Sequence, residues 1–385
     1  MQPTKPAMPA MNFDEQPFIV IWETTQACDL ACVHCRACAQ PLRDKLELST
    51  PEAKKLIDDV AHLQAPVFVM TGGDPLKRPD IYELISYSRD RGVRASLTPS
   101  ATPLLTKEAI RKLKDSGLAR LAISLDGSTP DLHDNFRKVA GSYQCTLDAV
   151  NWARELGLGV QINTTITRHN LHDLDSLIAL MERLDIVLWS VFFLVPTGRG
   201  SSIDLISAEE FEQVFEKLYQ TAQRVSFDIK STEAQHYRRF LLQKRIEDRK
   251  PGSGRKVLPF LGVSSADGIG RAPKGINDGK GFVFVSHRGE VYPSGFLPLS
   301  GGNIREQSLG DIYRNSHLFR DLRDESLLEG KCGRCEFREI CGGSRARAYA
   351  LTGNAFAEEP CCIYEPKRQS VPQPKRARLN VLANL

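Results

Sequence analysis

Ten cysteines in a 385-residue chain are not spread here as a disulfide framework would be. Cys28, Cys32, Cys35 and Cys38 fall within eleven residues, Cys145 stands alone, and Cys332, Cys335, Cys341, Cys361 and Cys362 crowd the far end. Clustered thiols in a chain with no sign of export read as metal ligands or catalytic groups rather than bridges. Three thiolates in the CX3CX2C spacing of Cys28, Cys32 and Cys35 can bind three irons of a 4Fe–4S cube and leave the fourth without a protein ligand. An open iron lets a cluster bind a small molecule rather than only pass electrons. The plainer alternative is structural zinc, which normally takes four ligands from two pairs and would need His34 or Cys38 as the fourth. The spacing favours iron–sulfur.

Such a loop must be held by regular elements. From Phe18 to Pro196 short β-rich runs alternate with helical patterns. The strands are expected at 18–25, 66–71, 93–98, 118–125, 160–167 and 187–196, each nearly continuous in apolar residues, as strands covered by helices on both faces are. The helix from Pro51 to Leu63 has Thr50 as its expected N-cap and Leu56, Ile57, Val60 and Ala61 on one face. Six βα units point to a parallel sheet with helices outside, as an open barrel or a doubly wound sheet, with chemistry at the C-terminal strand ends. The first cysteine triplet begins three residues past the first strand, at that end.

The remaining chain reads as a helical bridge and loop over 197–280. Ser207 and Glu210 form a capping box there, and Phe211, Val214, Phe215 and Leu218 an apolar stripe. A Gly- and Lys-rich loop from 250 to 280 is expected to be mobile. A hairpin follows over 281–294, turning at His287-Arg-Gly289, and leads into the second cysteine group. Residues 1–17 and the basic stretch 367–385 are expected to be flexible. Hydrophobic residues at 41% and charged residues at 25% exclude bulk disorder, and a net charge of +4 gives no case for nucleic acid or an anionic membrane. No run of eighteen apolar residues exists, and the Pro-rich start is no signal peptide, so a cytoplasmic protein is expected.

The triplet in this setting resembles the signature of the radical SAM enzymes. The resemblance implies a partial (β/α)6 barrel of the TIM type over 18–196, with a small α+β cysteine-rich domain after it. It also implies that the open iron chelates S-adenosylmethionine, which is cleaved to a 5′-deoxyadenosyl radical that takes hydrogen from substrate. His34 stands where an aromatic residue is usual. Gly72-Gly73-Asp74-Pro75 matches the motif that meets the methionine amino group, although it is also a good turn sequence. Ser100, Ser124, Asp126 and Arg137 fall where the family meets the ribose and carboxylate of that cofactor. An ordinary cap or surface ion pair is the plainer role for each.

Cys332, Cys335, Cys341 and Cys362, with Cys361 as the near alternative, resemble the C-terminal SPASM or twitch extension, here over 281–366. Ser294 stands where a further cysteine would be expected, so one auxiliary 4Fe–4S cluster is implied; a zinc ribbon is the plainer alternative. The resemblance further implies an electron donor such as a flavodoxin or ferredoxin. Within the family the chain looks most like the tetrapyrrole branch of haem and haem d1 biosynthesis. Arg199, Arg238, Arg239, Arg345 and Arg347 are then candidates to pair with propionates, against the plain reading of surface arginines. The alternatives are a maturase of a ribosomally made peptide and, from another class, a non-enzymatic iron–sulfur or zinc protein. Cys38, His236, Tyr237 and Glu23 are candidate catalytic groups by position alone; Cys145 reads as a small buried hydrophobe.

Overall fold

The computed structural model describes residues 11–250, 254–255, 258 and 275–367. Residues 1–10, most of the Gly- and Lys-rich loop and the basic tail beyond 367 lie outside the described residues. Among the described residues ten strands form one sheet: β1 (Ile19–Glu23), β2 (Val67–Thr71), β3 (Ala95–Leu97), β4 (Arg120–Ser124), β5 (Val160–Ile166), β6 (Leu188–Phe193), β7 (Asp228–Thr232), β8 (Phe282–Val285), β9 (Glu290–Tyr292) and β10 (Gly302–Asn303). Their order is β10-β9-β8-β1-β2-β3-β4-β5-β6-β7, parallel from β8 through β1 to β7 and antiparallel at the hairpin. No pairing joins β7 to β8 among the described residues, so the barrel is open at that seam.

The helices of the barrel are α1 (Thr50–His62), α2 (Ile81–Asp90), α3 (Lys107–Asp115), α4 (Pro130–Arg137), α5 (Ser142–Glu155), α6 (Leu174–Arg183), α7 (Ala208–Ala222) and α8 (Tyr237–Asp248). The core lies between them and the sheet, where Leu56, Ile57, Leu84, Ile110 and Leu113 pack on Val20, Trp22, Phe68, Leu97 and Leu121. The α1 N-cap is Ser49 and not Thr50. One residue earlier, a capping box closes with Glu52, whose carboxylate accepts the Ser49 N–H at 2.7 Å. The Ser207–Glu210 box on α7 forms as the sequence indicates.

Three differences matter for the site. The strands are covered on their outer faces only. On β5 the buried residues alternate with Gln161 and Asn163, which line an open lumen. The stretch 197–280 also contains a seventh parallel strand, β7, whose Asp-Ile-Lys-Ser-Thr sequence has no apolar run to reveal it. Finally, the hairpin strand β8 pairs with β1 and continues the barrel sheet. Residues 11–17, expected to be flexible, are pinned through Phe13 and Asp14. The Phe13 carbonyl accepts the Tyr313 hydroxyl at 2.6 Å, and Asp14 pairs with Arg323. After β10 come α9 (Leu309–Asn315), α10 (His317–Arg323), α11 (Gly330–Gly333) and α12 (Arg345–Thr352). No described helix is long and apolar enough to cross a membrane.

Candidate active site

The loop after β1 carries the first triplet, and three neighbours clamp its main chain. From the β2 tip, the Gly73 and Asp74 N–H groups donate to the carbonyls of Thr25 and Ala27. The approach is so close that a Cβ on Gly73 would sit 2.4 Å from the Ala27 oxygen, which only glycine avoids. From the end of α4, the Phe136 carbonyl accepts the Val33 N–H. Beyond β6, Arg199 Nε donates to the Cys32 carbonyl at 2.9 Å. The result is one buried group of Cys28, Leu30 and Cys32, with Cys35, Ala39 and Val139 packed against it.

Each sulfur has a donor aimed at it. The Leu30 N–H reaches Cys28 Sγ at 3.3 Å, the Ala39 N–H reaches Cys35 Sγ at 3.4 Å, and Arg137 Nη1 lies 3.6 Å from Cys32 Sγ. Such donors support metal-bound thiolates and tune their clusters. The chemistry of the loop fits a cluster whose irons take one thiolate each. His34 acts as the missing aromatic, stacked 4.4 Å from the Phe136 ring, and burial lowers its pKa to about 3.

The other strand tips brace this loop. Asp74 is fully buried and caps its own turn, accepting from the Leu76 N–H and the Thr102 hydroxyl; burial raises its pKa. Pro75 opens that turn. The Ser100 hydroxyl lies between Gly73 and Cys28. Ser124 ends β4, half-buried, and its carbonyl accepts the Thr146 hydroxyl. Asp126 and Arg137 meet directly, with Arg137 Nε 2.8 Å from the carboxylate, so that guanidinium joins Asp126 to Cys32.

The second group forms its own small cavity, lined by Cys332, Cys335, Cys341 and Cys362. Their sulfurs too are met by main-chain donors, Glu359 at 3.3 Å to Cys332, Phe337 at 3.4 Å to Cys335 and Gly343 at 3.4 Å to Cys341. Cys361 turns away into the barrel core. His236 faces this cavity, buried beside the Cys361 main chain. Four thiols around one small cavity fit an iron–sulfur cluster in that space. Ser294 lies outside it, lining the barrel mouth, and its hydroxyl accepts the Phe296 N–H.

A radical SAM superfamily model matches residues 22–181, and one of the SPASM iron-sulfur cluster-binding domain matches residues 277–336. An AdoMet-dependent heme synthase of Nitratidesulfovibrio vulgaris is 42% identical over 354 residues, covering 91% of this chain and 94% of that protein. The chain is a radical SAM enzyme. An AdoMet-dependent heme synthase of Methanosarcina barkeri is 40% identical over 353 residues, covering 92% of this chain and 98% of that protein. The radical SAM enzyme also shares its fold with Streptococcus suis SuiB bound to S-adenosylmethionine. There the TM-score is 0.69 at 15% identity, with 91% of this chain and 78% of that one covered. Its cofactors are a 4Fe–4S cluster that binds S-adenosylmethionine and an auxiliary iron–sulfur cluster. The non-enzymatic alternative is thereby set aside.

The structure redistributes the arginines of this radical SAM enzyme. Arg345 and Arg347 are not placed for a substrate. Arg345 is buried and donates to the Ala355 and Ala357 carbonyls, while Arg347 is fully buried on Glu359 and the carbonyls of Phe193, Leu194 and Glu233. Arg239 pairs with Glu212 beside the four-cysteine cavity, and Arg199 holds the first cysteine loop. Arg238 alone of the five lines the lumen, where burial lowers its pKa to about 10. Among the described residues the lumen's other cations are Arg36, Arg120 and Lys230, which sequence reasoning missed. Only Arg36 carried a signal, its place directly after Cys35.

The positional catalytic candidates fare differently. Cys38 is exposed, on a positive φ of 48°. Tyr237 is a core residue packed on Phe215 and Phe240. Burial lowers the pKa of His236 to about 3, and it faces the second cavity, not the lumen. Glu23 sits at the barrel mouth, buried, paired with Arg36 and His287.

Proposed function

We propose that the enzyme takes a hydrogen atom from a carboxylate-bearing side chain of a tetrapyrrole on a route to haem. The observation that carries this reading is the lining of the lumen. Arg36, Arg120, Lys230 and Arg238 are set among Phe192, Phe282, Phe284 and Phe296, with Arg36 coming from the first cysteine loop and Arg120 and Phe282 from the first residues of β4 and β8. A flat aromatic macrocycle with several propionates is a ligand that uses both kinds of wall. The near end-to-end likeness to proteins named heme synthases supports it.

In this reading Cys28, Cys32 and Cys35 hold the cluster that binds S-adenosylmethionine, and Cys332, Cys335, Cys341 and Cys362 hold the auxiliary one. Bound there, cluster and S-adenosylmethionine supply the 5′-deoxyadenosyl radical. Gly72, Gly73, Asp74 and Pro75 shape the wall beside the methionine moiety. Ser100, Ser124, Asp126 and Arg137 complete it. The electron comes from a cytoplasmic flavodoxin or ferredoxin.

The test is anaerobic. Reconstituted protein with S-adenosylmethionine and dithionite is assayed for 5′-deoxyadenosine, with and without iron-coproporphyrin. A clear rise with the porphyrin is expected. Slow formation that the porphyrin leaves unchanged would sink the tetrapyrrole reading and favour a ribosomally made peptide as substrate.

A further inference from the structure

The barrel mouth carries a second cavity, lined by residues that include Glu23, Gln26, His287 and Tyr292. It shares three lining residues with the lumen, namely Arg36, Phe284 and Gly295. The Arg36 guanidinium lies 4.5 Å over the Phe284 ring, and its Nη2 is 2.8 Å from Glu23. Gly295 leaves just enough room for both. A Cβ there would stand 3.0 Å from the Phe284 ring and 3.1 Å from Arg36 Nε. One cation stacked on one ring therefore forms the partition between the mouth and the lumen.

The two ends of Arg36 are held differently. Its main chain is fixed, since it follows Cys35, whose carbonyl accepts the Arg199 N–H at 3.0 Å, and Gly198 packs against its own carbonyl oxygen. Its head is held by one carboxylate and one ring face. A guanidinium offers five N–H donors, and the Glu23 bond uses one. Glu23 would not be stranded if Arg36 left, because its other oxygen lies 2.8 Å from His287 Nδ1. That contact leaves Glu23 a ring nitrogen beside it and so offsets part of the cost of breaking a buried ion pair.

We propose that Arg36 is a specificity-determining residue, exchanging Glu23 for a carboxylate of the incoming substrate and holding that arm beside the first cysteine loop. This rests on the tetrapyrrole reading above. A planar, always-charged fork suits the exchange, because it can grip the new carboxylate with two parallel bonds where Glu23 takes one. The arm so held lies one residue from Cys35, while the rest of the molecule occupies the lumen.

The experiment is an absorbance titration of the anaerobic, reconstituted full chain with iron-coproporphyrin and with its methyl ester, which lacks the carboxylates. Wild-type protein is expected to bind the acid more tightly than the ester. Arg36→Gln is expected to weaken acid binding about tenfold or more and to reduce the preference over the ester, with Arg36→Lys between the two. Gly295→Ala, which crowds the guanidinium without removing it, is expected to weaken the acid likewise, and it carries the test if Arg36→Gln fails to hold iron. Unchanged acid affinity in these variants, or a wild type that binds acid and ester alike, overturns the role of Arg36. A wild type that binds neither overturns the tetrapyrrole reading, a separate and recognisable result.

Discussion

The Ser100 hydroxyl stands 3.2 Å from Cys28 Sγ and 2.9 Å from the Gly73 carbonyl oxygen, so one proton lies within reach of a cysteine sulfur and of the β2 tip. Burial raises the pKa of Cys28, and Ser100 and the Leu30 N–H work against it. Ser100→Ala removes that hydroxyl and keeps the thiol. Groups that support metal ligands typically contribute about 10- to 100-fold to activity or metal affinity. We expect Ser100→Ala to keep its iron but to form 5′-deoxyadenosine about tenfold more slowly. A wild-type rate would remove Ser100 from the site.

Arg137 serves Asp126 and Cys32 at once. Arg137→Gln leaves the fully buried Asp126 without its counter-charge, a loss of roughly 3–5 kcal/mol measurable by denaturant unfolding. Pairing it with Asp126→Asn should restore most of the stability and none of the cofactor cleavage. Burial acts to raise the Asp126 pKa, but Arg137, His34, His133 and the Thr165 N–H together outweigh it and hold the carboxyl below its ordinary range. Its contribution is therefore complete above about pH 4 and lost as the pH falls through the lower folded value. Asp126→Asn should flatten that acid limb; an unchanged limb contradicts the assignment.

The neighbouring thiols Cys361 and Cys362 should separate cleanly in iron content. Cys362 lines the four-cysteine cavity, and Cys361 sits in the core. Cys362→Ser is expected to lose about four of roughly eight irons, and Cys361→Ser none. Replacing Cys28, Cys32 and Cys35 together by Ala should also leave about four. Full iron in that triple variant would refute the two-cluster assignment.

Glu233 lines the lumen on a left-handed backbone, φ 57°, and its carboxylate accepts the Ser344 hydroxyl. Burial, followed by the nearby Asp278, pushes its pKa up to about 8. The folded protein therefore holds this proton where the unfolded chain has released it. Stability from this group is greatest below the unfolded value of about 4 and declines as the pH rises toward 8. Glu233→Gln keeps an acceptor for Ser344 and should raise the melting temperature by a margin that grows from pH 5 to about pH 8. A margin independent of pH would show that Glu233 ionises normally.

The six apolar strands and the first cysteine loop were legible because burial under helices leaves a compositional trace, and because ligand spacing is local. What the sequence hid has a common cause. β7 faces the lumen with Lys230, Ser231 and Thr232, so it reads as a polar linker. The cations of the lumen come from β4, β7, α8 and the cysteine loop, a juxtaposition that only the barrel creates. Arg345 and Arg347 look like exposed charge in sequence, yet both are buried, hydrogen-bonded to main-chain carbonyls, and Arg347 is paired with Glu359. Partners so distant in the chain leave no periodicity behind.

The pairing of Ile19 with Phe282 gives the molecule an order of assembly. During synthesis the first strand emerges early and its neighbour on one side almost last, so one edge of the sheet stays bare until the hairpin arrives. Contacts this remote in sequence form slowly, and an unpaired edge invites association with other chains. The C-terminal third is thus needed to finish the first two-thirds, and a chain truncated before the hairpin would leave the ribosome as an unfinished barrel prone to aggregate.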